Sequence, residues 1–404
     1  MTIDTQPLPT AAQISLQTFH LPAFPPEAAS LKHLTLTSDI KPTDYADLLS
    51  TQDATPPIIP PTLPKGIQSL TLELFSLGYP APFLTNLGKS LPNLKDLTLY
   101  SHLIDGVSDA SRRDAGEFIR GILTGSNNYK DENENTTSTG LRELHLLDVF
   151  CRKGFIKGIG DVLHDRKSQG ALRFLEVSYT YRGHSDGAFL DRIPVDELPR
   201  LLVKGLVGVS LRLDAATAGL EEEDVPDDPA DVGDRVGRKP EGIVPVGSGH
   251  DGTGLLVERL DEVESDSGSG LKMLDCTLYA LSLEQLGRVL RRQRRLAVLS
   301  VSVLVSEGED AKKGLLETLR LGGGELEVVE VVGVPGSEWK DIADSVKSQD
   351  LFRDVFPSSS DMLGLAAALP RLESFSMTIL RAPAFGSVSW VRRDGQWVAD
   401  TERP

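Results

Sequence analysis

Cysteine is nearly absent from this sequence: Cys151 and Cys276 are the only two in 404 residues. Two cysteines cannot build a disulfide framework, and their scarcity fits a reducing compartment. Long apolar runs are missing too, and none approaches the roughly 18 residues that a membrane-spanning helix needs. The first ten residues lack a basic stretch followed by an apolar one, so no secretion signal is expected there. Positive charge is in deficit. A net charge of −17 argues against a nucleic-acid binder, which needs a basic face to displace phosphate counterions. The same charge argues against adsorption to anionic lipid. The 40% hydrophobic content is enough to bury a core, so wholesale disorder is not expected. These absences leave an acidic, soluble, intracellular chain.

Recognisable catalytic patterns are missing as well. The seven histidines include no pair at metal-ligand spacing, neither cysteine has a CxxC neighbour, and no Gly-x-Ser-x-Gly elbow occurs. Gly88-Lys-Ser90 has the ending of a phosphate-binding loop, but Phe83 stands where that loop needs its first glycine. A helix end before Leu91-Pro92 accounts for it better. His164-Asp165 reads as a solvated helix end, where a cation suits the dipole. Gly247-x-Gly249-x-x-Gly252, after an apolar run and before Leu255–Leu260, has the outline of a dinucleotide-binding turn. Pro245 interrupts its short strand, and Asp275, the acid about twenty residues on, belongs to another pattern. A flexible linker is the preferred reading, and no cofactor or metal is expected.

What the sequence does have is a repeated hexamer with apolar residues at positions one, four and six. It occurs at Leu31–Leu36, Ile67–Leu72, Leu94–Leu99, Leu141–Leu146, Leu172–Val177 and Leu206–Leu211. It returns at Leu271–Cys276, Leu296–Val301, Leu326–Val331 and Leu372–Met377, with a weaker first copy at Leu16–Leu21. Helical patterns separate the copies. Ser282 and Gln285 spell a capping box before Leu283, Leu286, Val289 and Leu290 on one face. Ala115–Leu123, Phe155–Leu163 and Asp310–Leu319 read similarly. A doubly wound sheet would show longer, continuously apolar strands. One shared row of leucines predicts instead a single-core α/β solenoid, with parallel strands inside the curve and helices outside.

Leu-x-x-Leu-x-Leu strands followed by helices resemble leucine-rich repeat proteins of the ribonuclease-inhibitor-like type. The spacers Leu91-Pro-Asn-Leu94 and Leu369-Pro-Arg-Leu372 resemble the irregular repeats of fungal F-box-associated proteins. The resemblance covers roughly Leu16 to Thr378 and implies a curved solenoid that binds proteins. No F-box is visible in the fifteen residues before the first hexamer. A ubiquitin-ligase substrate receptor with an absent or diverged F-box is therefore the second reading, and a nucleotide-binding enzyme at Gly247–Gly254 the alternative from another class.

The expected organisation is a tail at 1–15, repeats at 16–213, an acidic disordered insertion at 214–269, repeats at 270–380, and a capping hairpin with tail at 381–404. The insertion holds sixteen acids and four bases, a net −12 of the total −17. Val388–Val398 alternates around Asp394-Gly395 and reads as the hairpin. The run Arg288–Arg295 reads as a solvated helix face, with docking of the acidic insertion as a more specific idea.

Position five and the residue after position six are expected to face the open, concave side, where such solenoids bind. Most are small hydroxyls. Tyr100, His145, Glu176, Tyr179, Tyr181 and Arg212 are larger, of the polar and aromatic types enriched at binding hot spots. They are the candidate partner-binding residues of a monomeric, non-catalytic scaffold whose partner is a protein, not nucleic acid or membrane.

Overall fold

The computed structural model describes residues 10–15, 23–37, 63–73, 81–100, 108–124, 140–165, 172–181, 186–215, 243–263, 270–306, 308–336, 354–380 and 387–399, with 21, 79 and 103–106. The chain divides into two compact units. The first takes Met1–Val177 and Arg192–Val203, the second Ser178–Asp191 and Lys204–Pro404.

In the first unit the strands are β1 (Ala11–Ser15), β2 (His33–Thr37), β3 (Ser69–Glu73), β4 (Asp96–Tyr100), β5 (Glu143–Leu147) and the first half of β6 (Phe174–Tyr181). The helices are α1 (Phe83–Lys89), α2 (Asp109–Thr124) and α3 (Phe155–Leu163). β1 to β5 pair in parallel, each with the next in the chain. In the second unit β6 ends, and α4 (Asp186–Asp191), β7 (Gly208–Ala215), α5 (Asp251–Val263), β8 (Met273–Leu281), α6 (Leu283–Arg292) and β9 (Val298–Val305) follow. Then come α7 (Gly308–Leu319), β10 (Val328–Pro335), α8 (Ser359–Ala368) and β11 (Ser374–Ile379). β12 (Ser387–Arg393) pairs antiparallel with β11 and with β13 (Gln396–Ala399), turning at Asp394 and Gly395, both at positive φ.

Each of the ten stronger hexamers forms a strand at its positions three to six, and its leucines become the core. Leu34, Leu36, Leu70, Leu72, Leu97, Leu99, Leu144 and Leu146 are at most 1% exposed. The period of two sends alternate residues into the core and onto the open face, so strand and pattern agree. Each unit is a stack of strand–helix repeats of the leucine-rich kind, and no repeat could cover its own leucines alone.

The carbonyl of position two holds each repeat to the next. Lys32 O accepts the N–H groups of Gln68 and Ser69, Gln68 O those of Lys95 and Asp96, and Lys95 O those of Arg142 and Glu143. The second unit repeats this, with Lys272 O accepting from Ala297 and Val298, and Ala297 O from Glu327 and Val328. A carbonyl has two lone pairs, and here both are used.

Two boundaries expected from sequence are corrected. β1 lies at Ala11–Ser15, inside the supposed tail, and pairs with β2 in full register. Most of the weak hexamer Leu16–Leu21 lies outside the described residues. Within the expected insertion, Val246 bridges Tyr279 and α5 buries Leu256, Val257, Leu260 and Val263. The charge concentrated at 221–234 hid an ordered bridge and helix at 243–263. The acidic stretch itself, 216–242, lies outside the described residues.

Two helices in the first unit borrow their N-caps. α1 starts at Pro82 and α3 at Gly154, neither with a capping side chain. Asp114 of α2 accepts from Leu84 N and Thr85 N at 2.9 and 3.1 Å. Glu197 accepts from Gly154 N and Lys157 N at 2.6 and 2.9 Å. Each carboxylate satisfies orphan N–H groups from a later repeat. Asp114→Ala would strand two such donors, and we expect a loss of about 1–2 kcal/mol, read as a lower denaturant midpoint at unchanged slope. An unchanged midpoint would show that water caps α1 equally well.

Candidate functional site

The open face of the first unit is set by register. Position three of the hexamers aligns His33, Ser69, Asp96 and Glu143. Position five aligns Thr35, Thr71, Thr98 and His145, and the following row Thr37, Glu73, Tyr100 and Leu147. The threonines are half-buried spacers, and the larger groups collect at β4 to β6.

His145 is the centre of that collection. Its Nδ1 lies 2.7 Å from Glu176 Oε2 and its Nε2 3.6 Å from Glu143 Oε2. Its ring packs against Phe174 at 5.4 Å between centroids. Both partners of the short contact are 21% exposed, so the pair is sheltered but reachable. Asp96, beside Glu143 in register, is shifted above the ordinary carboxylate range by desolvation and then by Glu143. Tyr100 is 37% exposed, one of few large side chains that turn outward. An imidazole among carboxylates beside an open phenol can accept a cationic or hydrogen-bond-donating group. Among the described residues, no three His, Cys, Asp or Glu side chains are placed to hold a metal ion.

Of the six residues singled out from sequence, Tyr100, His145 and Glu176 belong to the first unit and face outward. Tyr179, Tyr181 and Arg212 belong to the second. Arg212 is exposed and pairs with Asp214 at 2.8 Å. Tyr179 and Tyr181 are corrections: they are 0% and 5% exposed, with Tyr181 edge-on to Phe189 at 5.4 Å. The reason is parity. Both lie an even number of residues from Leu175 and Val177, so β6 carries them into the core, and Ser178 and Thr180 take the other face. Asp96 and Glu143 were missed by the same rule. Position three shares the face of position five, and counting by two from His145 would have found Glu143.

The open face of the second unit satisfies itself. Ser210, Asp275, Ser300, Glu330 and Ser376 align in one row. Ser300 donates to Glu330 at 2.8 Å, Ser302 to Thr277 O at 2.8 Å, and Asp275 accepts from Thr277 N and Oγ1.

The two sequence features set aside earlier also resolve. At the glycine turn, Gly252 N donates to His250 Nδ1, Thr253 N and Gly254 N to His250 O, and Thr253 Oγ1 to Gly247 O. These N–H groups are taken within the turn, and the turn is the start of α5. The arginine run serves helix ends. Arg288 pairs with Asp261 of α5 at 2.7 Å, Gln293 donates to Leu260 O, and Arg294 to Leu321 O beyond α7. Among the described residues, it contacts the helical part of the expected insertion.

No protein-family model matches the sequence, and no curated protein does. Among solved structures it is similar to the leucine-rich repeat-containing protein LegL7 from Legionella pneumophila, at 13% identity and a TM-score of 0.33, over 96% of this chain and 92% of that one. So loose a superposition says nothing about function. No helix among the described residues is long and apolar enough to cross a membrane.

Burial pushes Asp275 above the ordinary carboxylate range, against the Thr277 hydrogen bonds that pull it down. The folded chain then holds a proton that the unfolded chain has released, so this contribution to stability is lost as pH rises through the raised value. Asp275→Asn keeps an acceptor for Thr277 without the charge. Denaturant midpoints should show the variant at least as stable as wild type at pH 7, with the difference narrowing toward pH 4. A variant that is weaker at pH 7 would mean the charge itself holds the turn.

Proposed function

We propose that this chain is a non-catalytic protein-interaction scaffold, and that its partner seats basic and hydrogen-bond-donating side chains on the open face of β4 to β6. The observation that carries this reading is the grouping of exposed Tyr100 with the His145–Glu176 pair, beside the adjacent Asp96 and Glu143, on a sheet face that no described helix of the same unit covers. Tyrosine supplies large contact area with little entropy to lose, and half-sheltered charges are worth more than fully solvated ones. The partner is a protein: a face rich in carboxylates repels phosphate backbones and anionic lipid alike. The chain acts as a monomer and uses neither cofactor nor metal.

The reading is tested by affinity capture with wild type and a Tyr100→Ala, His145→Ala, Glu176→Ala variant, followed by measured affinity for whatever is captured. Truncating a hot-spot group costs about 2 kcal/mol or more, so the triple variant should bind at least tenfold more weakly with its unfolding midpoint intact. Equal capture by both would move the site off this face. A nucleic acid as the captured species would overturn the class of partner.

A further inference from the structure

We propose a second binding site on the helix side of the first unit, a groove between α2 and α3 that receives a large apolar side chain flanked by a carboxylate from a partner polypeptide. The groove has a volume of about 170 Å³. A dry cavity of ~150 Å³ admits an aromatic ring, so this one has room for a phenylalanine, leucine or methionine side chain. Its floor is apolar, with Phe155, Ile159 and Val162 from α3, and Arg112 and Arg120 stand on the α2 side.

The space exists because two helix positions carry no side chain. Gly116 lies mid-α2 and Gly158 in the second turn of α3, and a Cβ at either would meet nothing within 4 Å. Glycine is the poorest helix former after proline, so it needs a reason inside a helix. Gly160 has one, since a Cβ there would come within 2.8 Å of Arg200. Gly116 and Gly158 have none among the described residues. Both line the groove, and any larger residue would narrow it.

Charge selects the occupant. Arg112 is engaged, with Asp105 at 3.9 Å and the carbonyl of Lys153. The guanidinium of Arg120 has no hydrogen bond or ion pair among the described residues. A carboxylate next to the inserted side chain would meet Arg120 at the edge of an apolar site, where the local dielectric strengthens the pair. The exposed acids of these helices, Asp109, Glu117 and Asp161, do not line the groove. This site is separate from the sheet face of β4 to β6 and does not depend on it.

The test is to pan a random twelve-residue peptide library against the full chain, with counter-selection on a Gly116→Leu, Gly158→Leu variant. Recovered sequences should carry Phe, Leu or Met beside Asp or Glu. Their affinity, by fluorescence anisotropy, should fall at least tenfold in either leucine variant and about three- to tenfold in Arg120→Glu. Unfolding midpoints at or above wild type would certify that the leucine variants fold, and Gly116→Ala serves as a milder second variant. The Tyr100, His145, Glu176 triple variant should bind these peptides normally, which separates this site from the sheet face. Recovery of basic or uncharged sequences, or of none that distinguish wild type from the filled groove, would overturn the proposal. So would concentration-dependent self-association abolished by the leucine variants, which would make the occupant a second copy of the chain.

Discussion

One carbonyl per repeat, at position two of the hexamer, takes two N–H groups from the next repeat, and the stacking within each unit depends on it. In the first unit the residues that supply it are Lys32, Gln68, Lys95 and Arg142, and in the second Val207, Lys272, Ala297 and Glu327. Nothing about these side chains is shared. The interaction belongs to the main chain, so it survives any substitution that keeps the leucines buried and the strands in register. That is how irregular repeats with uneven spacers can still align at positions three to six.

Several helix ends are solved from outside the helix. Asp114 and Glu197 cap helices that begin with Pro82 and Gly154, and Arg288, Arg292, Gln293 and Arg294 reach carbonyls and a carboxylate of helices on either side. Other starts close locally: Ser282 with Gln285 and Ser358 with Asp361 form capping boxes at α6 and α8, Ser108 accepts from Ser111 N at α2, and His250 from Gly252 N at α5. Each borrowed cap makes one repeat's stability depend on its neighbour, as expected for stacked units held by nearest-neighbour contacts. The arginine run, the most conspicuous charge cluster in the sequence, is largely used in this way.

With folding handled by leucines, main-chain bonds and borrowed caps, the open face is free to carry recognition. The two units use that freedom differently. In the second, serines and carboxylates bond each other, as Ser300 does with Glu330. In the first, His145 gathers Glu143 and Glu176 beside a phenol that faces solvent. On the helix side, Gly116 and Gly158 leave unfilled a space that Gly160, packed against Arg200, does not.

The sequence by itself determined the repeat and its core, because leucines at one, four and six have only one face to share and a period of two leaves no choice of side. It also contained the parity that puts Tyr179 and Tyr181 inside and Glu143 outside, had the count been carried through β6 and back to position three. Self-contained caps were legible at Ser282 and Ser358, since a capping box lies within four residues. Tertiary structure alone decided what depends on distant partners. Asp114 is thirty residues from the N–H it caps, Glu197 forty-three from Gly154, and His145 thirty-one from Glu176. Ala11–Ser15 carries no hexamer and becomes a strand because β2 offers it a sheet edge to pair with, and Asp251–Val263 packs as a helix although the charge around it reads as disorder. Local pattern fixes which face a residue takes, but only the assembled stack fixes which residues meet across it.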